Sequence, residues 1–127
     1  VDIATACHVI VDKTEFNNPN IVKVVVGANR RALYFSRSPI PYRPEEKTVT
    51  EPAGFGFRHV GIYVFRRESL IRFSEMPPTP LEVSESLEQL RALENGMVIK
   101  VVETTQFTVG VDVPGDVKNV EKALGSQ

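Results

Sequence analysis

Cysteine is almost missing from this chain of 127 residues, and the single Cys7 excludes both an intramolecular disulfide framework and a thiolate zinc site. Net charge is missing too. Against 16 Asp and Glu stand 15 Lys and Arg with no basic tract, so no field draws the chain to nucleic acid or to an anionic membrane. No apolar run approaches the roughly 20 residues of a membrane span, and the start VDIATACHVIVDK lacks the basic-then-apolar order of a signal peptide. No glycine-rich phosphate loop occurs anywhere. What these absences leave is a soluble, cytoplasmic chain in a reducing compartment, of a length that suits one domain, 1–127, burying roughly two-thirds of its unfolded surface. The chain opens without methionine and directly in a strand-like pattern, so a preceding segment is expected.

The best-specified stretch is TPLEVSESLEQLRALENG, Thr79 to Gly96. Thr79 suits an N-cap, Pro80 the first helical position, Glu82 the return arm of a capping box, and Gly96 the stop. Val83, Leu87, Leu90 and Leu93 gather on one stripe of a single helix, which is expected to face a core. Glu85, Glu88, Gln89 and Ala92 fall roughly opposite, as an acid-amide face that is either solvated or, at Glu88 and Gln89, part of a site for a polyhydroxylated ligand.

Around this helix the pattern is mostly strand. Ile3 to Val11 reads as a strand buried on at least one face, with His8 as a satisfied structural residue, and Asn17-Asn18-Pro19-Asn20 marks a turn. Ile21 to Val26 and Arg31 to Phe35 flank Gly27-Ala28-Asn29-Arg30 as a hairpin, with Gly27 and Asn29 available for positive φ. The proline-rich segment that follows is extended and carries Arg37 and Arg43; a guanidinium there is either simply exposed or a planar clamp for a carboxylate. Glu45 to Gly56 is a long loop. Phe57 to Phe65 returns to strand, putting Arg58, Val60, Ile62 and Val64 on an apolar core face and His59, Gly61, Tyr63 and Phe65 on the other, where an imidazole and a phenol flank a glycine that permits close approach. The alternative for that pair is local satisfaction within the fold. Arg66 to Met76 reads as a short helix, Met97 to Glu103 as a strand, and Val117, Val120 and Leu124 as the core side of a terminal helix. Asp112, just ahead of that helix, is placed either to cap it or to hold a hard cation such as Mg²⁺.

Taken in order, NPN followed by VKVVV, then ALYFSRSPIP, RHVGIYVF, PTPLE, LEQLRALENG and GVDVPGDV resemble the C-terminal half of the 3-deoxy-D-manno-octulosonate (Kdo) cytidylyltransferases, the CMP-Kdo synthetases. The resemblance implies an α/β fold, the C-terminal half of a nucleotide-diphospho-sugar transferase (Rossmann-like) fold with a mixed sheet and flanking helices, usually dimeric through this half. It implies transfer of CMP from CTP to Kdo, giving CMP-Kdo and pyrophosphate with Mg²⁺, for lipopolysaccharide biosynthesis. Residue by residue, it puts His59, Tyr63, Glu88 and Gln89 around the sugar acid with Arg37 beside it, and makes Asp112 the Mg²⁺ ligand.

The sequence departs from that pattern in three places. The family's N-terminal CTP-gripping signature and second metal aspartate are absent, so the chain alone is not expected to bind CTP productively. Val113 and Gly115 replace a Thr and a Glu, and because Val113 cannot cap the helix that Pro114 opens, that cap is weakened by about 1 kcal/mol. Pro44 stands where an arginine is usual, with Arg43 beside it. The alternatives are a cytidylyltransferase for another sugar acid, such as a sialic acid, and a non-catalytic dimerisation or binding module of the same fold.

Overall fold

The structure, a computed structural model, describes residues 1–44, 54–105 and 120–122. Most of the 45–56 loop, Asp112, Val113, Gly115 and most of the expected terminal helix lie outside them. Among the described residues five strands form one mixed sheet, in the order β3 (Ala32–Ser36), β2 (Lys23–Val26), β4 (Gly56–Phe65), β1 (Ile3–Ile10), β5 (Ile99–Glu103), as expected for an α/β chain. Strand β1 (Ile3–Ile10) is central, antiparallel to β4 (Gly56–Phe65) and parallel to β5 (Ile99–Glu103). A parallel neighbour needs a crossover. Three helices between β4 and β5 supply it: α2 (Arg67–Ser74), α3 (Pro80–Glu85) and α4 (Gln89–Glu94).

Pairing of β1 with β4 explains why His59 and Tyr63 share a face. Cys7 lies opposite His59, Thr5 opposite Tyr63 and Ile3 opposite Phe65, but Ala6 lies opposite Val60, so Gly61 and Ile62 are extra residues in a bulge. The Ile3–Thr5–Cys7 side of β1 and the His59–Tyr63–Phe65 side of β4 therefore coincide. Ile3 and Cys7 belong to the main core with Val24, Phe35, Leu90 and Ile99. Val60, Ile62 and Val64 pack on the opposite side against Ala4, Ala6 and Val120, the apolar face the sequence anticipates. Arg58 departs from that face and reaches Glu15 at 2.9 Å, on the short helix α1 (Lys13–Phe16), which immediately precedes the Asn17–Asn20 turn. At Gly61 a Cβ would meet nothing within 4 Å among the described residues, so no neighbouring backbone there requires glycine.

Strands β2 (Lys23–Val26) and β3 (Ala32–Ser36) form the expected antiparallel hairpin. The residue with positive φ in its connection is Arg30 (φ 66°), not Gly27 or Asn29. The Arg30 carbonyl accepts a hydrogen bond from Val101 N–H at 2.8 Å, so the hairpin tip is tied to β5 and its backbone bend is held by a long-range bond. Lys23 is fully buried, and its ammonium is satisfied by the carbonyls of Asn18 and Ile21 at 2.8 and 2.5 Å.

The stretch from Thr79 to Gly96 is two helices rather than one. Its start follows the sequence signals, with Thr79 N–H donating to Glu82 Oε1 at 3.0 Å and Pro80 in the first turn. At Ser86 the backbone turns left-handed (φ 57°, ψ 47°) and α3 ends; α4 restarts at Gln89, and Gly96 (φ 78°) closes it. The break rotates the two halves of the expected stripe apart. Leu87 and Leu90 are buried, whereas Val83 is 68% exposed, and Ala92, assigned to the polar face, is fully buried.

Candidate functional site

Between the α2–α4 layer and the β1–β4 part of the sheet lies a hollow of about 440 Å³, lined by Ile3, Tyr63, Phe65, Leu70, Phe73, Ser86, Leu87, Glu88 and Gln89. Its size is that of a small-ligand site, and apolar walls with a few convergent polar groups are the usual composition of one. The polar groups come from two places: Tyr63 from β4 next to the bulge, and Ser86, Glu88 and Gln89 from the α3–α4 break. Three of the sequence-predicted residues, Tyr63, Glu88 and Gln89, are thus brought together. Had α3 and α4 formed one continuous helix, Glu88 and Gln89 would follow Glu85 around a single wheel. The left-handed Ser86 is what separates their direction from that of Glu85.

His59 sits behind this hollow rather than in its lining. Its ring centroid is 5.2 Å from that of Tyr63 and 5.0 Å, edge-on, from that of Phe35, and its Nε2 lies 2.9 Å from Thr5 Oγ1. Burial among these groups lowers the imidazole from its usual 6.5 to about 4, so it is neutral at physiological pH. Burial, assisted by the Glu88 carboxylate, pushes the Tyr63 phenol above its usual 10.0 and keeps it a hydrogen-bond donor. Both effects leave a site rich in neutral donors and acceptors, with the Glu88 carboxylate on its exposed side, 79% accessible.

Arg37 is placed differently from a ligand clamp. Its Nε donates to the Glu85 carbonyl at 2.9 Å, one Nη to the Pro19 carbonyl at 3.1 Å and the other to the Ser86 carbonyl at 3.3 Å. The guanidinium therefore grips the end of α3 from behind, and reaches the hollow only through the backbone of Ser86. Glu85, read as one of the solvated face, completes the same grip: its carboxylate accepts from Ser36 Oγ at 2.7 Å, Tyr34 Oη at 3.1 Å and Arg37 N–H at 3.1 Å. Burial would raise the Glu85 carboxyl, but those hydrogen bonds and the Arg37 charge outweigh it and hold it below the usual range. Sequence reasoning missed this role for Glu85, Tyr34 and Ser36, because a helix residue that reaches back to a hairpin 49 positions earlier leaves no periodic trace.

Of the remaining candidates, His8 is a structural residue as read, its Nδ1 donating to the Thr104 carbonyl at 2.8 Å. Arg43 donates through Nε to the Phe55 carbonyl at 2.8 Å. Asp112 lies outside the described residues, and among those described no group of three or more His, Cys, Asp or Glu is arranged to hold a metal ion.

Comparison with known proteins bears on what such a hollow accepts. The 3-deoxy-manno-octulosonate cytidylyltransferase of Syntrophotalea carbinolica is 50% identical over 114 residues, which make up 87% of this chain and 46% of that protein. The enzyme of the same name from Flavobacterium johnsoniae is 48% identical over 125 residues, 98% of this chain and 49% of the other. A solved structure of a CMP:2-keto-3-deoxy-manno-octonic acid synthetase complexed with CTP superposes with a TM-score of 0.76 at 39% identity, covering 98% of this chain and 49% of that one. The chain thus spans about half the length of the curated relatives it matches. Since the cytidylyltransferase family profile matches residues 1–101, most of the β1-to-β5 unit that carries the hollow, the chain belongs to the cytidylyltransferase family.

Proposed function

We propose that this chain is the sugar-acid-binding and dimerising half of a 3-deoxy-manno-octulosonate cytidylyltransferase, a cytoplasmic enzyme that transfers CMP from CTP to Kdo for lipopolysaccharide biosynthesis. The observation that carries the reading is the convergence of Tyr63, Glu88 and Gln89 on one hollow, in a chain about half of whose residues match relatives of that name. A hydroxyl-rich acid needs this set: a phenol to donate, a carboxylate to accept and an amide to do both. The apolar walls exclude water from the bound sugar.

In this reading Kdo occupies the hollow and its anomeric hydroxyl attacks the α-phosphorus of CTP, with pyrophosphate leaving. The contribution of this chain is positional. Tyr63, Glu88 and Gln89 orient the sugar, His59 supports Tyr63 from behind, and Arg37 and Glu85 fix the turn from which Glu88 and Gln89 project. Asp112 is the proposed Mg²⁺ ligand, on the family resemblance alone; bound there, the ion would offset phosphate charge. CTP is gripped by the portion of the enzyme that this chain does not span.

Mixing the chain with the remaining portion of the Syntrophotalea carbinolica relative, CTP, Kdo and Mg²⁺ tests the reading. Pyrophosphate release that requires both polypeptides is expected. A stable complex of the two that releases none with Kdo would overturn it.

A further inference from the structure

The bulge in β4 does more than set the register. It brings the carbonyls of Ile62 and Val60 to 2.6 and 3.2 Å from Thr5 Oγ1, which is completely buried. A carbonyl oxygen has no proton, so an O···O separation of 2.6 Å requires that the threonine hydroxyl donate its only hydrogen there. That hydroxyl is then purely an acceptor toward His59 Nε2, 2.9 Å away, and the imidazole must carry its proton on Nε2. We propose that Thr5 is a positioning residue that locks His59 in the Nε2–H tautomer, leaving Nδ1 as a lone-pair acceptor.

The consequence is directional. Among the described residues the ring makes no second hydrogen bond, so its remaining nitrogen can take a hydroxyl proton but cannot donate to a carboxylate or phosphate oxygen. Where the sugar-acid reading holds, on which this consequence rests, the fixed ring acts on the ligand through Tyr63, the lining residue whose ring centroid lies 5.2 Å away. The bulge, Thr5 and His59 form one device: without the extra residues Gly61 and Ile62, the Ile62 carbonyl would not meet Thr5, and the hydroxyl would be free to donate to the ring.

The test is the imidazole ¹⁵N spectrum of the uniformly ¹⁵N-labelled 127-residue chain with its Thr5→Val and Thr5→Ser variants. Wild type and Thr5→Ser should both show a protonated-type Nε2 and a lone-pair-type Nδ1 at His59, while Thr5→Val should lose that pattern to a mixture of tautomers. An Nδ1–H tautomer in the wild type overturns the proposal even if Thr5→Val does not fold, and so does a Thr5→Val spectrum identical to wild type. Titration with Kdo separates this from the functional reading: Thr5→Val should weaken binding by about tenfold with recovery in Thr5→Ser, whereas failure of the wild type to bind Kdo counts against the sugar-acid assignment and leaves the tautomer result standing.

Discussion

At the scale of single residues, His59 carries a measurable signature. Its pKa falls from 6.5 in the unfolded chain to about 4 in the folded one, so between those values the unfolded chain holds a proton that the folded chain does not. Stability contributed by the neutral imidazole is therefore complete above pH 6.5 and is lost as pH falls toward 4, by on the order of 3 kcal/mol. Urea unfolding at intervals from pH 7 to pH 5, above the range where most carboxylates titrate, should show stability declining with acidification in the wild type. A His59→Gln variant should show a flatter slope, and equal slopes in the two would contradict a buried neutral imidazole. The period-2 pattern of Phe57 to Phe65 predicted that His59 and Tyr63 share a face. It could not predict that a bulge preserves this alignment, or that Thr5, a lone hydroxyl in an apolar strand, supplies the ring's partner.

Among the elements, the break between α3 and α4 decides the site. The start of α3 was legible because Thr79, Pro80 and Glu82 act within one turn, and the end of α4 because Gly96 takes a positive φ that glycine alone adopts freely. The interruption was not, since Ser86 is an ordinary residue forced left-handed by contacts distant in sequence, namely Arg37 and its hold on the Glu85 and Ser86 carbonyls. A non-glycine residue in that conformation costs about 1 kcal/mol. Ser86→Gly is therefore expected to raise stability by up to about 1 kcal/mol, and Ser86→Val to lower it by more than that, as read from urea midpoints. Arg37→Ala strips donors from three carbonyls and should cost about 2 kcal/mol, while also weakening sugar binding through a less fixed Glu88 and Gln89. A Ser86→Gly variant less stable than wild type, or an Arg37→Ala variant with unaltered affinity, would show that the break is held by something other than this grip.

For the molecule as a whole, Asp2 ties the layers together: its carboxylate accepts from Val98 N–H at 2.8 Å and Ser69 Oγ at 2.9 Å, joining β1 to the approach to β5 and to α2. Outside this frame, large apolar side chains remain exposed, with Leu33 on edge strand β3 at 62%, Ile71 on α2 at 51% and Val83 on α3 at 68%. An edge strand that finds no further strand partner among the described residues, together with apolar surface of this kind, favours association. Sedimentation is expected to show average mass rising with concentration, and a monomer at all concentrations would contradict the proposed dimerising role. The positions of the strands followed from apolar patterning, and the mixed sheet and the grouping of Tyr63 with Glu88 and Gln89 from the family resemblance of the ordered motifs; the strand order and the roles of Glu85 and Thr5 depended on contacts formed only when distant segments meet.

The central claim is that the hollow walled by Phe65, Phe73 and Leu87 receives Kdo through Tyr63, Glu88 and Gln89. Kdo titrated into the ¹⁵N-labelled chain, with its Glu88→Ala, Gln89→Ala double variant in parallel, tests it most directly. Saturable shifts centred on Tyr63, Glu88 and Gln89 in the wild type, and an affinity at least about tenfold weaker in the folded double variant, are expected; equal affinities, or shifts confined to other surfaces, would contradict it.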